Sequence, residues 1–124
     1  MAFTQTRLGG TGGAGVPATL GAIASMNTVP GSAIYTVAVG VTTIVKQIMY
    51  SNLPSSTQQV TLWLKPTAAG SAGDSHILFH SLDLAAYETM LINLSLVMSA
   101  GDAIYSGAGN ASSVNLTMSG IEES

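Results

Sequence analysis

From residue 33 to the C-terminus the chain repeats one theme: a short run rich in Val, Ile, Thr, Leu and Tyr, closed by Gly, Pro, Asn, Asp or Ser. Residues 33–39 are closed by Gly40, residues 41–50 by SNLPSS, and Gln58–Lys65 by PTAAGSAGD. Residues 76–84, 88–98 (closed by SAGD), 103–106 (closed by GAGN) and 113–121 complete the series. Short strand-prone runs at regular spacing, each ended by turn formers, predict an all-β sandwich or barrel. The one helix-compatible stretch, LDLAAYETML at residues 82–91, also reads as a connecting loop between two strands.

Successive side chains on a strand point to opposite sides, so alternation assigns the faces. Val60, Leu62 and Leu64 share one side, with Thr61, Trp63 and Lys65 on the other. Met90, Ile92, Leu94 and Leu96 oppose Leu91, Asn93 and Ser95, and Val114, Leu116 and Met118 oppose Asn115, Thr117 and Ser119. These are half-buried strands whose outer faces carry Thr, Ser and Asn in place of Lys and Glu. Residues 41–50 are apolar on both sides, Ile44 and Ile48 against Val45 and Met49, which predicts a central strand or one buried by a neighbour.

The first thirty residues differ in kind. Phe3–Leu8 can pair as a short strand, but residues 9–15 read GGTGGAG, a tract without side chains for a core. Pro30-Gly31 then marks a turn. The expected organisation is an extended Gly-rich arm over residues 1–30 and an antiparallel β-sandwich, jelly-roll or Ig-like, over 31–124.

Charge changes the picture of the surface. Only 7% of the chain is charged while 47% is hydrophobic, against about a quarter charged in an ordinary soluble domain. Something else is therefore expected to cover much of the outside. A membrane-spanning helix needs about 20 apolar residues, and AIYTVAVGVTTIV stops short at Lys46. Arg7 is followed by glycines where a secretory leader needs an apolar stretch, so a soluble chain made in the cytoplasm is expected, with no membrane partner. A membrane β-barrel is disfavoured because such a chain is normally exported. Neighbouring protein subunits remain as the cover, and neutral hydroxyl-bearing faces suit them because no charge must be desolvated.

With a net charge of -3 and three basic residues, Arg7, Lys46 and Lys65, the chain lacks the cationic cluster that nucleic acid requires. Zero cysteines remove thiolate catalysis, cysteine metal sites and disulfides together. Gly10, Gly12 and Gly15 match the spacing of a dinucleotide-binding motif, but no strand and helix flank them as that motif requires. His76 and His80, read on one continuous strand, share a face with Asp74 and Asp83 nearby; four residues along a strand is a long reach for shared metal coordination. No G-x-S-x-G elbow is present. Asp74 and Asp102 each follow a glycine and read as turn residues bonding nearby amides. Asn93, Asn110 and Asn115 open N-x-Ser/Thr triplets that read as polar strand faces. Trp63 with Tyr35, Tyr50 and Tyr105 supplies either buried area or a sugar-stacking platform. No catalytic, cofactor or metal residue is assigned.

The strings IYTVAVGVTTIVKQIMYSN from Ile34, VTLWLKP from Val60, GDAIYSGAG from Gly101 and VNLTMSGIE from Val114 resemble, in that order, a type of small tailed-bacteriophage virion protein. That type has a YTVPAG-x-T opening, a VTLWL-like strand, an L-x-AGD-x-I turn and a closing strand ending in SG-x-E. This chain has Ala38-Val39 where the type commonly has Pro-Ala. The resemblance spans residues 33–122 and implies a β-sandwich subunit of the virion, as a capsid decoration or cement protein or as a tail or collar component. It carries no catalytic or ligand residues.

The function expected is therefore non-enzymatic and structural. The chain is expected to be a symmetric homo-oligomer, with a trimer as one form, bound to the major capsid protein or to tail proteins in the virion. The candidate contact residues are Phe3, Arg7, Leu8 and Leu20 on the arm, and Trp63. The alternative is a tail, collar or fibre component that binds a receptor or carbohydrate through Trp63 or the Gly/Ser loops.

Overall fold

The computed structural model describes residues 3–8, 18–31, 33–110 and 113–123. The chain is all-β: among the described residues there are strands β1 (Phe3–Leu8), β2 (Ala18–Thr19), β3 (Tyr35–Thr36), β4 (Thr42–Asn52), β5 (Gln58–Lys65), β6 (Ile77–Leu84), β7 (Thr89–Met98), β8 (Ala103–Ala108) and β9 (Val114–Glu123). A 3-10 turn, Asp74–His76, precedes β6. The first sheet runs β1-β9-β4-β7 with β2 also on β9, and the second runs β3-β8-β5-β6. Every ladder within the two sheets is antiparallel. The two sheets enclose one core, as the alternation predicts for a β-sandwich.

Val45, Ile48 and Tyr50 from β4, Val114, Leu116 and Met118 from β9, and Val60, Leu62 and Ile104 from the second sheet meet in that core. Each such side chain contributes about 1.5–3 kcal/mol by leaving water. Two polar struts tie the sheets together through it. The Tyr50 hydroxyl lies against Ser106 Oγ at 2.8 Å. Toward the other end, the Tyr35 hydroxyl lies 2.7 Å from both Thr43 Oγ1 and Glu122 Oε2.

The lengths of β5 and β1 match the expected runs, and three other regions differ. Residues 33–39 shrink to Tyr35–Thr36, because Val37 bonds across to Gly101 and Asp102 and the chain turns at Gly40, whose φ is +79°. His76 leaves the strand for the 3-10 turn. Residues 85–88 are a turn, with Glu88 N–H donating to Ala85 O and Glu88 Oε1 accepting from Ala85 N–H.

β4 is central, between β9 and β7. Its ladders to both neighbours shift register between Val45 and Gln47. Lys46 is an extra residue against β9 and faces both Leu94 and Ser95 of β7; it is exposed and breaks the alternation of β4. Ile44 and Ile48 consequently face opposite sides: Ile48 is buried in the core and Ile44 is half-buried on the outer face. Simple alternation along residues 41–50 places them on the same side.

The segment expected as an arm contributes to the sandwich. β1 pairs along β9 from Phe3↔Glu123 to Leu8↔Met118, and β2 follows in the same lane at Ala18↔Leu116 and Thr19↔Asn115. Residues 20–23 then cross from one sheet to the other: Leu20 N–H donates to Val114 O of the first, Ile23 N–H to Ala108 O of the second. Leu20 is buried in the core. Ile23 lies on the outer face of the second sheet, over Gly107, where a Cβ would come within 2.6 Å of its methyl group.

Candidate interaction surface

The outer face of the first sheet is built by the alternation of β9, β4 and β7. Three rows cross it in register. One holds Val97, Ile44 and Ile121; the next holds Asn93, Gln47 and Ser119; a third holds Leu91, Met49 and Thr117. Gln47 Nε2 donates to Asn93 Oδ1 at 3.3 Å, and Lys46 Nζ donates to Ser95 Oγ at 3.2 Å, so the polar row is internally bonded. Two apolar rows thus flank a neutral polar one. Leu91 is 50% exposed and Val97 63% exposed, large apolar side chains on the solvent side of a strand at the end of its sheet. On β4, β7 and β9 Lys46 is the one cation of this face, Glu123 lies at its rim, and Arg7 of β1 pairs with Ser119 beside it.

Along the rows from β7 to β9 this surface can exclude water against another protein at little electrostatic cost, since Lys46 is their one charged neighbour short of the rim. The sequence signal for it was the Thr/Ser/Asn outer faces. Leu91 was visible there as an apolar residue in a polar row, whereas the exposure of Val97 follows from the position of β7 at the end of the sheet.

The residues named in advance are spread apart. Phe3, Arg7 and Leu8 lie on β1, opposite Glu123, Ser119 and Met118. Leu20 is buried in the core, and Trp63 is fully covered. Trp63 faces away from the core beside Tyr105 of β8, on the side crossed by residues 21–31, where Ile23 and Pro30 sit over Gly107. No face of its ring is open to a sugar in this structure. Tyr50 points into the core from the opposite sheet, so the four aromatic residues form no common platform.

The polar groups are engaged locally. His76 Nδ1 accepts from Gly73 N–H at 3.0 Å within the 3-10 turn. His80 Nε2 donates to Asn27 Oδ1 at 2.9 Å and helps hold the crossing segment. Asp83 accepts from Gln59 Nε2 at 2.9 Å. Asp102 accepts from the Ser99 and Thr67 amides and from the Thr67 hydroxyl, the turn role its position after Gly101 suggested. Burial alone acts to raise its carboxyl, but these bonds and nearby Lys65 outweigh that and hold it below the usual carboxylate range. Burial pushes the Tyr50 hydroxyl far above its ordinary value, only partly opposed by Ser106, so it is a neutral strut.

Among the described residues, no three His, Cys, Asp or Glu side chains are placed to hold a metal ion. Among the same residues, no helix is long and apolar enough to cross a membrane. No protein-family model matches the chain, and no curated protein matches it.

Proposed function

We propose that this chain is a non-enzymatic structural subunit of a tailed-phage virion, acting as a capsid decoration or cement protein. The observation that carries the structural part of this reading is the outer face of the first sheet: three registered rows from Val97 to Ile121 and from Leu91 to Thr117, across which β4, β7 and β9 supply Lys46 as their one cation. The order of the four strings from Ile34 to Glu122 supports the virion setting.

The mechanism is mechanical. A sandwich subunit covers this face against protein neighbours, each apolar square ångström contributing about 25 cal/mol. β1 and β2 both pair with β9, and the sequence between them, residues 9–17, includes the GGTGGAG tract. A strand joined through such a tract can pair with the β9 of a neighbour by the same backbone bonds it makes at home, an exchange that links subunits at low cost. The major capsid protein and further copies of the chain are the expected partners; a tail or collar position uses the same surfaces. A glycan-binding role draws no support from Trp63, which is covered.

Quantitative mass spectrometry of purified particles tests the reading. The chain is expected at tens to hundreds of copies per particle, and its removal is expected to lower the temperature at which shells release DNA. Absence from particles overturns the proposal, and a handful of copies per particle moves the subunit to the tail or collar.

A further inference from the structure

The four sheet edges are not alike. Among the described residues, β3 is a two-residue edge. β6 carries His80 and Asp83 and a positive φ at Ser81. The lane opposite β7 is split between β1 and β2. Short, charged, irregular or broken edges resist pairing with another chain. β7 is different: TMLINLSLVM runs ten residues at the end of the first sheet with no charge, proline or glycine. The β4–β7 ladder shifts register where Leu94 and Ser95 both stand opposite Lys46, yet the inward and outward positions of β7 alternate without interruption from Thr89 to Met98.

The order of residues on β7 is self-complementary. Counting outward from Leu94, Asn93 matches Ser95, Ile92 matches Leu96, Leu91 matches Val97 and Met90 matches Met98. An antiparallel pair of identical strands related by a twofold axis brings those residues opposite one another. Polar meets polar and apolar meets apolar at every position, on both faces. Met90, Ile92, Leu94 and Leu96 already pack against the core yet stay only half-buried, and a second strand alongside covers them. Leu91 and Val97, the exposed pair on the outer face, become direct cross-strand partners.

We propose that the free edge of β7 is a homodimer interface, in which two copies of this chain pair β7 antiparallel about a twofold axis at Leu94 and join their first sheets into one. The paired backbone supplies about ten hydrogen bonds, as a typical protein interface does. The contact is closed, because each β7 is used once, and it gives dimers and not fibres. Lys46, reaching Ser95 from β4, is the one charge near the axis. The repulsion between its two copies is exposed and screened by salt, so the dimer tightens as salt rises. The pairing is a property of the isolated chain and does not rest on the virion reading; particle content and solution dimerisation fail independently.

Sedimentation equilibrium of the full chain, at low and high sodium chloride, tests this. The expected species has twice the 12.5 kDa chain mass, with a dissociation constant that falls as salt rises. In Leu91→Lys/Val97→Lys the two introduced lysines face each other across the axis, and dimerisation weakens at least tenfold. In Leu91→Glu/Val97→Lys opposite charges face each other, and the constant returns to within about threefold of the original. Circular dichroism confirms that both variants fold, and the second recovers pairing only if Leu91 meets Val97 of the other copy. A monomeric wild type, equal dimerisation in all three proteins, or loss of the dimer on deleting residues 1–10 alone overturns the proposal, the last by assigning association to exchange of β1.

Discussion

The Tyr50 hydroxyl donates to Ser106 Oγ across the core at 2.8 Å, because Ser106 has already given its single proton to Thr61 O at 2.8 Å. The direction of the bond makes the two residues unequal. Tyr50→Phe removes a donor and leaves Ser106 and Thr61 still paired, at a cost of about 1 kcal/mol. Ser106→Ala strands the Tyr50 hydroxyl in an apolar core and deprives Thr61 O of its bond, at about 2–3 kcal/mol. Urea unfolding of both variants and of the double variant checks this. The double variant is expected to lose less than the sum of the two single ones, since removing the tyrosine hydroxyl relieves what the serine change left unpaired.

Ser99 to Asp102 form the turn between β7 and β8, and Gly101 occupies it with φ +87°. A side chain there is strained, and its Cβ would fall 2.7 Å from Thr67 Oγ1, whose one proton is shared between Ala100 O at 2.6 Å and Asp102 Oδ1 at 2.9 Å. Gly101→Ala is expected to destabilise by about 1–3 kcal/mol, read as a drop in melting temperature.

The Asp102 carboxyl is held below its ordinary range in the folded state. A depressed carboxyl contributes stability that is present above its unfolded value, near 3.9, and lost as pH falls through the lower folded value. Asp102→Asn is therefore expected to flatten the acid limb of the stability curve below about pH 4. The loss at neutral pH stays near 1 kcal/mol or less, because the group lies close to solvent. Thermal melts from pH 2 to 7 measure both effects.

Tyr35 behaves in the opposite sense. Burial first, and then the bond and charge of Glu122, raise its hydroxyl to about 12, partly opposed by Thr43. Stability from a raised acid is complete below its unfolded value, near 10, and is lost as pH climbs through the folded value. Between pH 10 and 12 the wild type is expected to lose of the order of 1 kcal/mol, after allowance for solvent near the hydroxyl. Tyr35→Phe is expected to show a shallower decline over the same window, followed by chemical unfolding at fixed temperature.

The sequence was informative where a rule is local and silent where topology decides. The alternation of β7 and β9 and the limits of β5 follow from period-two patterning and turn residues, and they appear unchanged in the fold. The bulge at Lys46 arises from the registers of three strands, so no run of residues announces that Ile44 and Ile48 part company. Trp63 sits in a strand position that reads as outward, and what covers that side is a segment some forty residues earlier, held by His80 and Asn27. The neutral outer face was legible in its Thr, Ser and Asn residues. The exposed edge of β7 was not, because the sheet order is absent from any local pattern.

Asn52 closes β4 with a demand for donors. Its Nδ2 donates to Ser56 O at 2.9 Å, Ala85 O at 2.8 Å and, more weakly, Leu84 O at 3.2 Å, holding the loop after β4 against the turn after β6. Asn52→Leu leaves these carbonyls unpaired at a cost of about 2–3 kcal/mol that does not vary with pH. Asn52→Asp puts a buried carboxyl among three carbonyl oxygens, where only its protonated form can donate. Its folded pKa must rise above the ordinary value near 3.9. Stability is then present below that value and lost as pH rises through the raised one. Relative to the wild type over the same range, the Asn52→Asp protein is therefore expected to gain stability on acidification from pH 7 to 5. An equal change in melting temperature between pH 7 and 5 in variant and wild type would show that the amide does not serve these carbonyls as a donor.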